Sequence, residues 1–126
     1  MNIAGMSAGG SAGSVTSSTA DALGKYLNLT SEQLKLTASN LANIDTPGYH
    51  AQGFDFEQAF GAALQGSAAP AVRDVDGLVA RPDGNTVSLD RESLQLAKSQ
   101  LQFRTGVALL KSEFGRVMSA IHAEAK

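Results

Sequence analysis

Cysteine and tryptophan are absent from this 126-residue chain. The first absence excludes disulfides and thiolate metal sites, and it leaves the compartment open. Aromatic residues are few, five phenylalanines and two tyrosines, and much of the apolar content is alanine. That composition suits thin helix–helix contacts better than a thick globular core. A chain of this size with so little bulky apolar surface is marginal alone. Net charge is only −2, so no basic field draws it to nucleic acid or anionic lipid. No run approaches the roughly 18 apolar residues of a membrane span. The start, Met1-Asn2-Ile3-Ala4-Gly5-Met6-Ser7, lacks the basic and apolar segments of a secretory signal.

Reactive constellations are missing as well. His50 and His122 are the only histidines and fall in different elements, with no metal spacing around them. His50 reads as a surface or contact residue. The glycines of Gly9-Gly10-Ser11-Ala12-Gly13-Ser14 precede no Gly-Lys-Ser/Thr, and Gly24-Lys25-Tyr26 has no upstream glycine of a phosphate loop. No serine stands in a nucleophile elbow. Asp74, Asp76, Asp83 and Asp90 interleave with turn residues and do not match a calcium loop. No catalytic, cofactor-binding or metal-binding residue is assigned, and neither an enzyme nor a small-molecule substrate is expected.

What is present is punctuation and periodicity. In Ala38-Ser39-Asn40-Leu41-Ala42-Asn43-Ile44-Asp45-Thr46-Pro47-Gly48-Tyr49 a helix is stopped and turned. Pro47 has no N–H and biases Thr46 away from the α region, and Gly48 accepts positive φ. Ahead of the stop, small and amide side chains stand one turn apart, which permits close approach and cross-chain hydrogen bonds. The stretch reads as an assembly motif, carried by Ala38, Ser39, Asn40, Leu41, Asn43, Thr46, Pro47, Gly48 and Tyr49.

Upstream of it, Leu23, Leu27, Thr30, Leu34, Thr37, Leu41 and Ile44 repeat with heptad spacing, which predicts a helix over 18–46. Residues 1–17, rich in Gly, Ser and Ala, are expected to be flexible. Residues 47–88 read as an irregular insert. Phe56 to Phe60 suggests a short helical turn, and Val72 to Ala80 a β-hairpin about Asp76-Gly77. Arg81-Pro82-Asp83-Gly84-Asn85 is a second turn cluster. From 89 to 126 runs the strongest helix, capped by Ser88 or Asp90, with Asp90 and Glu92 at the positive end of its dipole. Its seam is Leu96, Gln100, Phe103, Val107, Leu110, Phe114, Val117 and Ile121, widened by Leu94, Leu101, Ala108 and Met118. A stripe that broad serves more than one neighbouring helix. The fold class is therefore mainly α: two long terminal helices in a coiled-coil-like antiparallel hairpin, with a short irregular, β-hairpin-containing insert between them.

The 38–49 stretch resembles the "ASNxANxxTPGY" motif that closes the first helix in the axial proteins of bacterial flagella. Pro82-Asp83-Gly84-Asn85-Thr86-Val87-Ser88-Leu89-Asp90-Arg91-Glu92 is similar to the "DGNTVDxDxE" lead-in to the last helix of one member, the FlgB family of basal-body rod proteins. Phe54-Asp55-Phe56 is similar to that family's "DF" segment. The likeness spans roughly residues 20–120.

The resemblance implies a structural subunit of the proximal rod, built into a helical tube that crosses the periplasm and transmits torque. It implies as partners further copies of itself, other rod subunits, a membrane-ring/rod adaptor and the flagellar type III export apparatus. Synthesis would be cytoplasmic, and export would proceed without a cleaved signal. Phe56-Glu57-Gln58-Ala59-Phe60 also has the form of an export-gate motif in such subunits. Phe56 and Phe60 are equally well explained as an aromatic anchor for the insert. Two alternatives stay open: another rod protein, FlgC-like, and a helical-hairpin adaptor or secretion chaperone that forms no filament.

Overall fold

The computed structural model describes the backbone of residues 11–67 and 69–125, and the side chains of residues 18–67 and 69–124. Within it the order is α1 (Ser11–Ala42), β1 (Gln52–Gly53), α2 (Phe56–Leu64), β2 (Arg73–Asp74) and α3 (Leu89–Ala125). The chain is mainly helical, as its periodicity predicts. No helix among the described residues is long and apolar enough to cross a membrane.

α1 starts at Ser11, inside the segment expected to be flexible. Extending an existing helix adds one hydrogen bond per residue and needs no new nucleus, so Ser- and Ala-rich sequence can follow. The rest of that expectation, residues 1–10, lies outside the described residues. Past Ala42 the backbone continues in tight turns, with Ile44 N–H on Leu41 O at 3.2 Å and Thr46 N–H on Asn43 O at 3.0 Å. At the other end Ser88 caps α3. Its Oγ accepts the Arg91 N–H at 3.3 Å and its carbonyl accepts the Glu92 N–H at 2.9 Å.

The insert differs from the predicted hairpin. β2 pairs antiparallel with β1, Gln52 opposite Asp74 and Gly53 opposite Arg73, and 78–80 form no strand. Val75 N–H extends the pairing to Ala51 O at 2.9 Å. The Asp76-Gly77 turn does form, with Gly77 at φ 77°. The physical reason for the changed partner is support: an isolated hairpin is marginal in water, whereas β1 is already tied to α1. Next in the insert, Asp55 accepts the Gln58 N–H at 3.1 Å and caps α2. α2 leans on α1 through Tyr26, which meets Phe56 and Phe60 edge-on at centroid distances of 5.3 and 5.6 Å.

α3 packs against α1 and against no other described helix or strand. Asn40 reaches Glu92, and Leu27 faces Gly106, so the two helices meet in opposite chain order. The interior is unusually polar. Among the described residues, Leu29, Ala51 and Val87 are the buried apolar ones, against Thr30, Gln33, Thr37, Asn40, Asn85, Glu92, Ser99 and Glu113 among the polar ones. The apolar seam expected on α3 is turned partly outward. Leu96, Val107, Leu110 and Val117 are half-buried, but Phe103, Phe114 and Ile121 are 40, 55 and 55 % exposed. Leu23, Leu27, Leu34, Leu41 and Ile44 of the α1 seam are half-buried. The buried centre of each helix lies to the polar side of its apolar stripe, because hydrogen bonds rather than apolar area set the phase.

Gly106 marks the closest approach: a Cβ there would stand 2.7 Å from Leu27 Cδ2 and 3.2 Å from the Tyr26 ring. Around Gly115, in the same helix, a Cβ would meet nothing within 4 Å. Gly115→Ala is expected to stabilise the chain by about 1 kcal/mol through helix propensity. Gly106→Leu is expected to destabilise it by ~1–3 kcal/mol through overpacking. Urea unfolding followed by far-ultraviolet circular dichroism measures both.

Candidate assembly site

Asn40 sits on the last turns of α1 and is 1 % exposed. An amide in that position offers two donors and a two-lone-pair oxygen, and all are engaged. Its Nδ2 donates to Gln52 O and to Glu92 Oε1, both at 2.9 Å. Its Oδ1 accepts the Gln52 N–H at 2.9 Å and the Tyr49 hydroxyl at 3.2 Å. The side chain thus pairs with the Gln52 backbone as a neighbouring strand would, while clamping a carboxylate at the start of α3. Glu92 is 1 % exposed and takes its second support from the Arg91 guanidinium. Its side chain turns inward, a role the dipole argument for it does not give.

Asn85 is the counterpart from the second turn. It is fully buried. Its Nδ2 donates to Asn43 O at 2.9 Å and Thr46 O at 2.8 Å, and its Oδ1 accepts the Val87 N–H at 2.7 Å. Carbonyls left over at a helix end need such partners. Arg81 adds a guanidinium on Ile44 O and Val87 O. Backbone bonds complete the join: Gly48 N–H to Asp83 O at 2.9 Å, and Thr86 N–H to Tyr49 O at 3.0 Å. Gly48 and Gly84 both take positive φ, 75° and 85°, and a Cβ on Gly84 would stand 3.4 Å from Gly48 Cα. Two glycines are needed where two turns touch backbone to backbone.

The motif residues are distributed as follows. Asn40 and Tyr49 lie inside the network, and Asn43 and Thr46 supply the carbonyls that Asn85 binds. Asn43 Nδ2 folds back to Ser39 O at 2.9 Å, and Thr46 Oγ1 donates to Asn43 Oδ1 at 2.9 Å. Leu41 is half-buried, while Ala38, Ser39 and Pro47 are exposed at its rim. His50 lies outside the network, its Nδ1 3.3 Å from Asp74 Oδ2. Phe56 and Phe60 are elsewhere, on Tyr26. Sequence reasoning did not place Arg81, Asn85 and Glu92 in this site. The signal for Asn85 was its place after Asp83-Gly84, which also reads as an ordinary turn.

Asn40→Ala strands the Gln52 amide and a buried carboxylate, and is expected to destabilise the chain by ~2–4 kcal/mol. Asn40→Asp is expected to be at least as damaging, since it puts a second carboxylate against Glu92 and removes both donors. Asn85→Ala should cost ~1–3 kcal/mol by freeing the α1 carbonyls. Chemical denaturation of the three variants beside the parent checks the order.

Comparison with known proteins matches the same region. A family described as flagella basal body rod protein fits residues 27–50, the end of α1 and the turn beyond it. The chain is 33 % identical over 119 residues to the flagellar basal body rod protein FlgB of Salmonella typhimurium strain LT2, covering 75 % of this chain and 86 % of that protein. It is 31 % identical over 119 residues to FlgB of Yersinia ruckeri, with 75 % and 87 % covered. To FlgB of Escherichia coli K12 it is 28 % identical over 126 residues, with 77 % and 88 % covered. With both turn motifs meshed into one buried network and this degree of likeness along most of its length, the chain belongs to the FlgB family of flagellar basal body rod proteins.

Proposed function

We propose that this chain is a subunit of the proximal rod whose work is mechanical: it stacks with copies of itself and with other rod subunits into a helical tube across the periplasm, and carries torque. One observation carries this reading. Along the 37-residue α3, Leu94, Leu101, Leu109 and Met118 are 73, 65, 52 and 53 % exposed. Large apolar side chains left in water at intervals along the whole length of one helix offer surface for neighbouring subunits to cover. A helix of that length spans about 55 Å at ~1.5 Å per residue, long enough to meet several neighbours in turn. Contacts of the head-to-tail kind that do not close generate a helical filament. In this reading the two long helices form a coiled-coil-like antiparallel hairpin that lines the tube, the network around Asn40 and Asn85 holds the insert at a set angle to it, and the stretches 1–17, 18–46, 47–88 and 89–126 act as leader, inner helix, insert and inner helix. A membrane-ring adaptor and the type III export apparatus are its further partners. No catalytic step, cofactor or nucleic acid enters the role.

Sedimentation velocity tests it. The chain with other rod subunits is expected to form species far larger than a dimer, and Leu101→Asp to remain monomeric with its helical signal intact. A parent chain that stays compact, protected from end to end in hydrogen exchange and monomeric beside those subunits refutes the reading.

Phe56 and Phe60 have both duties in this proposal. In the folded chain they anchor α2 on Tyr26, so an export receptor meets them free only before folding. Tyr26→Leu removes the anchor and keeps the phenylalanines. It is expected to lower stability by ~1–2 kcal/mol and to leave secretion intact, while Phe56→Ala lowers both. Secretion measured in a flagellated host separates the duties; equal secretion of the parent and Phe56→Ala would assign the pair to packing alone.

A further inference from the structure

Past its first turn, α3 shows water charges of one sign. Lys98, Arg104, Lys111 and Arg116 are exposed, and the one carboxylate between Glu92 and Glu124 is the buried Glu113. Arg116 is engaged with Glu113 at 3.3 Å. Lys98, Arg104 and Lys111 make no ion pair or hydrogen bond among the described residues. They stand among the exposed apolar side chains. Lys98 follows Leu94 by four positions and precedes Leu101 by three, Arg104 follows Leu101 by three, and Lys111 shares a seven-residue row with Met118. Residues so spaced are neighbours on a helix surface.

The opposite sign collects around the turns that lead into α3. From Asp45 to Asp90 the chain has seven carboxylates and two arginines. Arg81 is occupied by backbone carbonyls. Asp76 and Asp90 are exposed and, among the described residues, have no hydrogen-bond or ionic partner. Both flank bare apolar residues: Asp76 comes three positions before Val79, which is 89 % exposed, and Asp90 follows Leu89, which is 58 % exposed. Asp76 lines the same cleft as Arg91 in the first turn of α3, so the loop and the helix start lie at one end of the molecule.

We propose that the exposed stripe of α3 takes the acidic turn end, residues 76–90, of a second copy of this chain. The inference rests on the assembling-subunit reading above and names one of its contacts. Two α3 stripes pressed together as a symmetric pair would bury the same leucines, but would set Lys98, Arg104 and Lys111 against their own kind. Like charges at an interface repel, and opposite charges steer docking and fix its register. The turn end on α3 meets both demands: apolar side chains meet an apolar stripe, and unpartnered acids meet unpartnered bases. A single exposed ion pair is worth little, so the charges select the arrangement and the apolar contact holds it. The two surfaces are different parts of the chain. Each joined copy therefore keeps one surface open, and the contact propagates instead of closing as a dimer.

Charge exchange tests it. One variant carries Lys98→Glu, Arg104→Glu and Lys111→Glu; the other carries Asp76→Lys and Asp90→Lys. Each alone sets like against like, and is expected to raise the concentration needed for assembly beside the other rod subunits by about ten-fold or more. In an equal mixture the acidic α3 of the first meets the basic turn end of the second, and the unaltered surfaces meet as before. Sedimentation velocity of the mixture is expected to return to that of the parent. A mixture as impaired as its components overturns the proposal, and so does either variant alone assembling at the parent's threshold. Circular dichroism checks that each variant is folded. Should a multiple reversal lose its helical signal, the single exchanges Arg104→Glu and Asp76→Lys are mixed in the same way and decide. Parent chain that assembles while the mixture fails sinks this contact alone; parent chain that never assembles beside those subunits refutes the subunit reading, and the contact with it.

Discussion

One carboxamide ties this chain together. The Asn40 side chain bonds the end of α1 to the backbone of β1 and to the first turn of α3. Because β1 is fixed, β2 has an edge to pair with, and the long insert is returned to α1 rather than left to hang from it. Because Glu92 is fixed, α3 enters the pair at a set rotation. Each such hydrogen bond adds only about 1 kcal/mol net, but an unmet partner in the interior costs ~1–3 kcal/mol. The network is therefore worth more as a specifier of arrangement than as a source of stability.

That specification has a consequence for the surface. Turning Glu92, Ser99 and Gly106 toward α1 turns Leu94, Leu101 and Leu109 away from it. At ~25 cal/mol per Å², the apolar area left in water on one helix is a reserve that a single chain has no means of using. In a self-sufficient domain it would be a liability. In a structural subunit of the flagellar rod it is what remains to be buried against neighbours, and the polar interior explains why it was not consumed in folding.

The helical content, the stop after Ala42, the Ser88 cap and the two glycine turns were legible, since each follows from local rules of propensity, capping and positive φ. The facing of α3 was not. Periodicity ranks residues by hydrophobicity, and it selected Leu96, Gln100, Phe103, Val107, Leu110, Phe114, Val117 and Ile121, of which Leu96, Val107, Leu110 and Val117 are half-buried. The single chain buries Ser99, Gly106 and Glu113, one position away, because a hydrogen bond from Asn40, 52 residues distant in sequence, sets the helix phase. The strand partner was missed for a related reason. Val72 to Ala80 has the local signal of a hairpin, and only the tie from Asn40 to Gln52 makes β1 the better edge. The start of α1 at Ser11 was missed because composition speaks to a segment in isolation, not to one that extends a helix already formed. Of the site, the first motif was visible as a unit. Asn85 and Arg81 looked like turn residues until their side chains were seen on the carbonyls of Asn43, Thr46 and Ile44.

A subunit that must bury apolar surface against several neighbours has a particular difficulty. Hydrophobic contact is non-directional, so a fold held by grease can trade its own interior for a neighbour's exterior and slip. Directional bonds to buried amides do not trade in this way, because a rival apolar surface leaves every donor and acceptor of Asn40 and Asn85 unmet. Placing such bonds at the junction of α1, the insert and α3 keeps the junction rigid while apolar side chains stay exposed on the helix beyond it. The part that sets angles is polar, and the parts that adhere are apolar. That division follows from the two kinds of force themselves, and it suits a component that must both assemble and bear load.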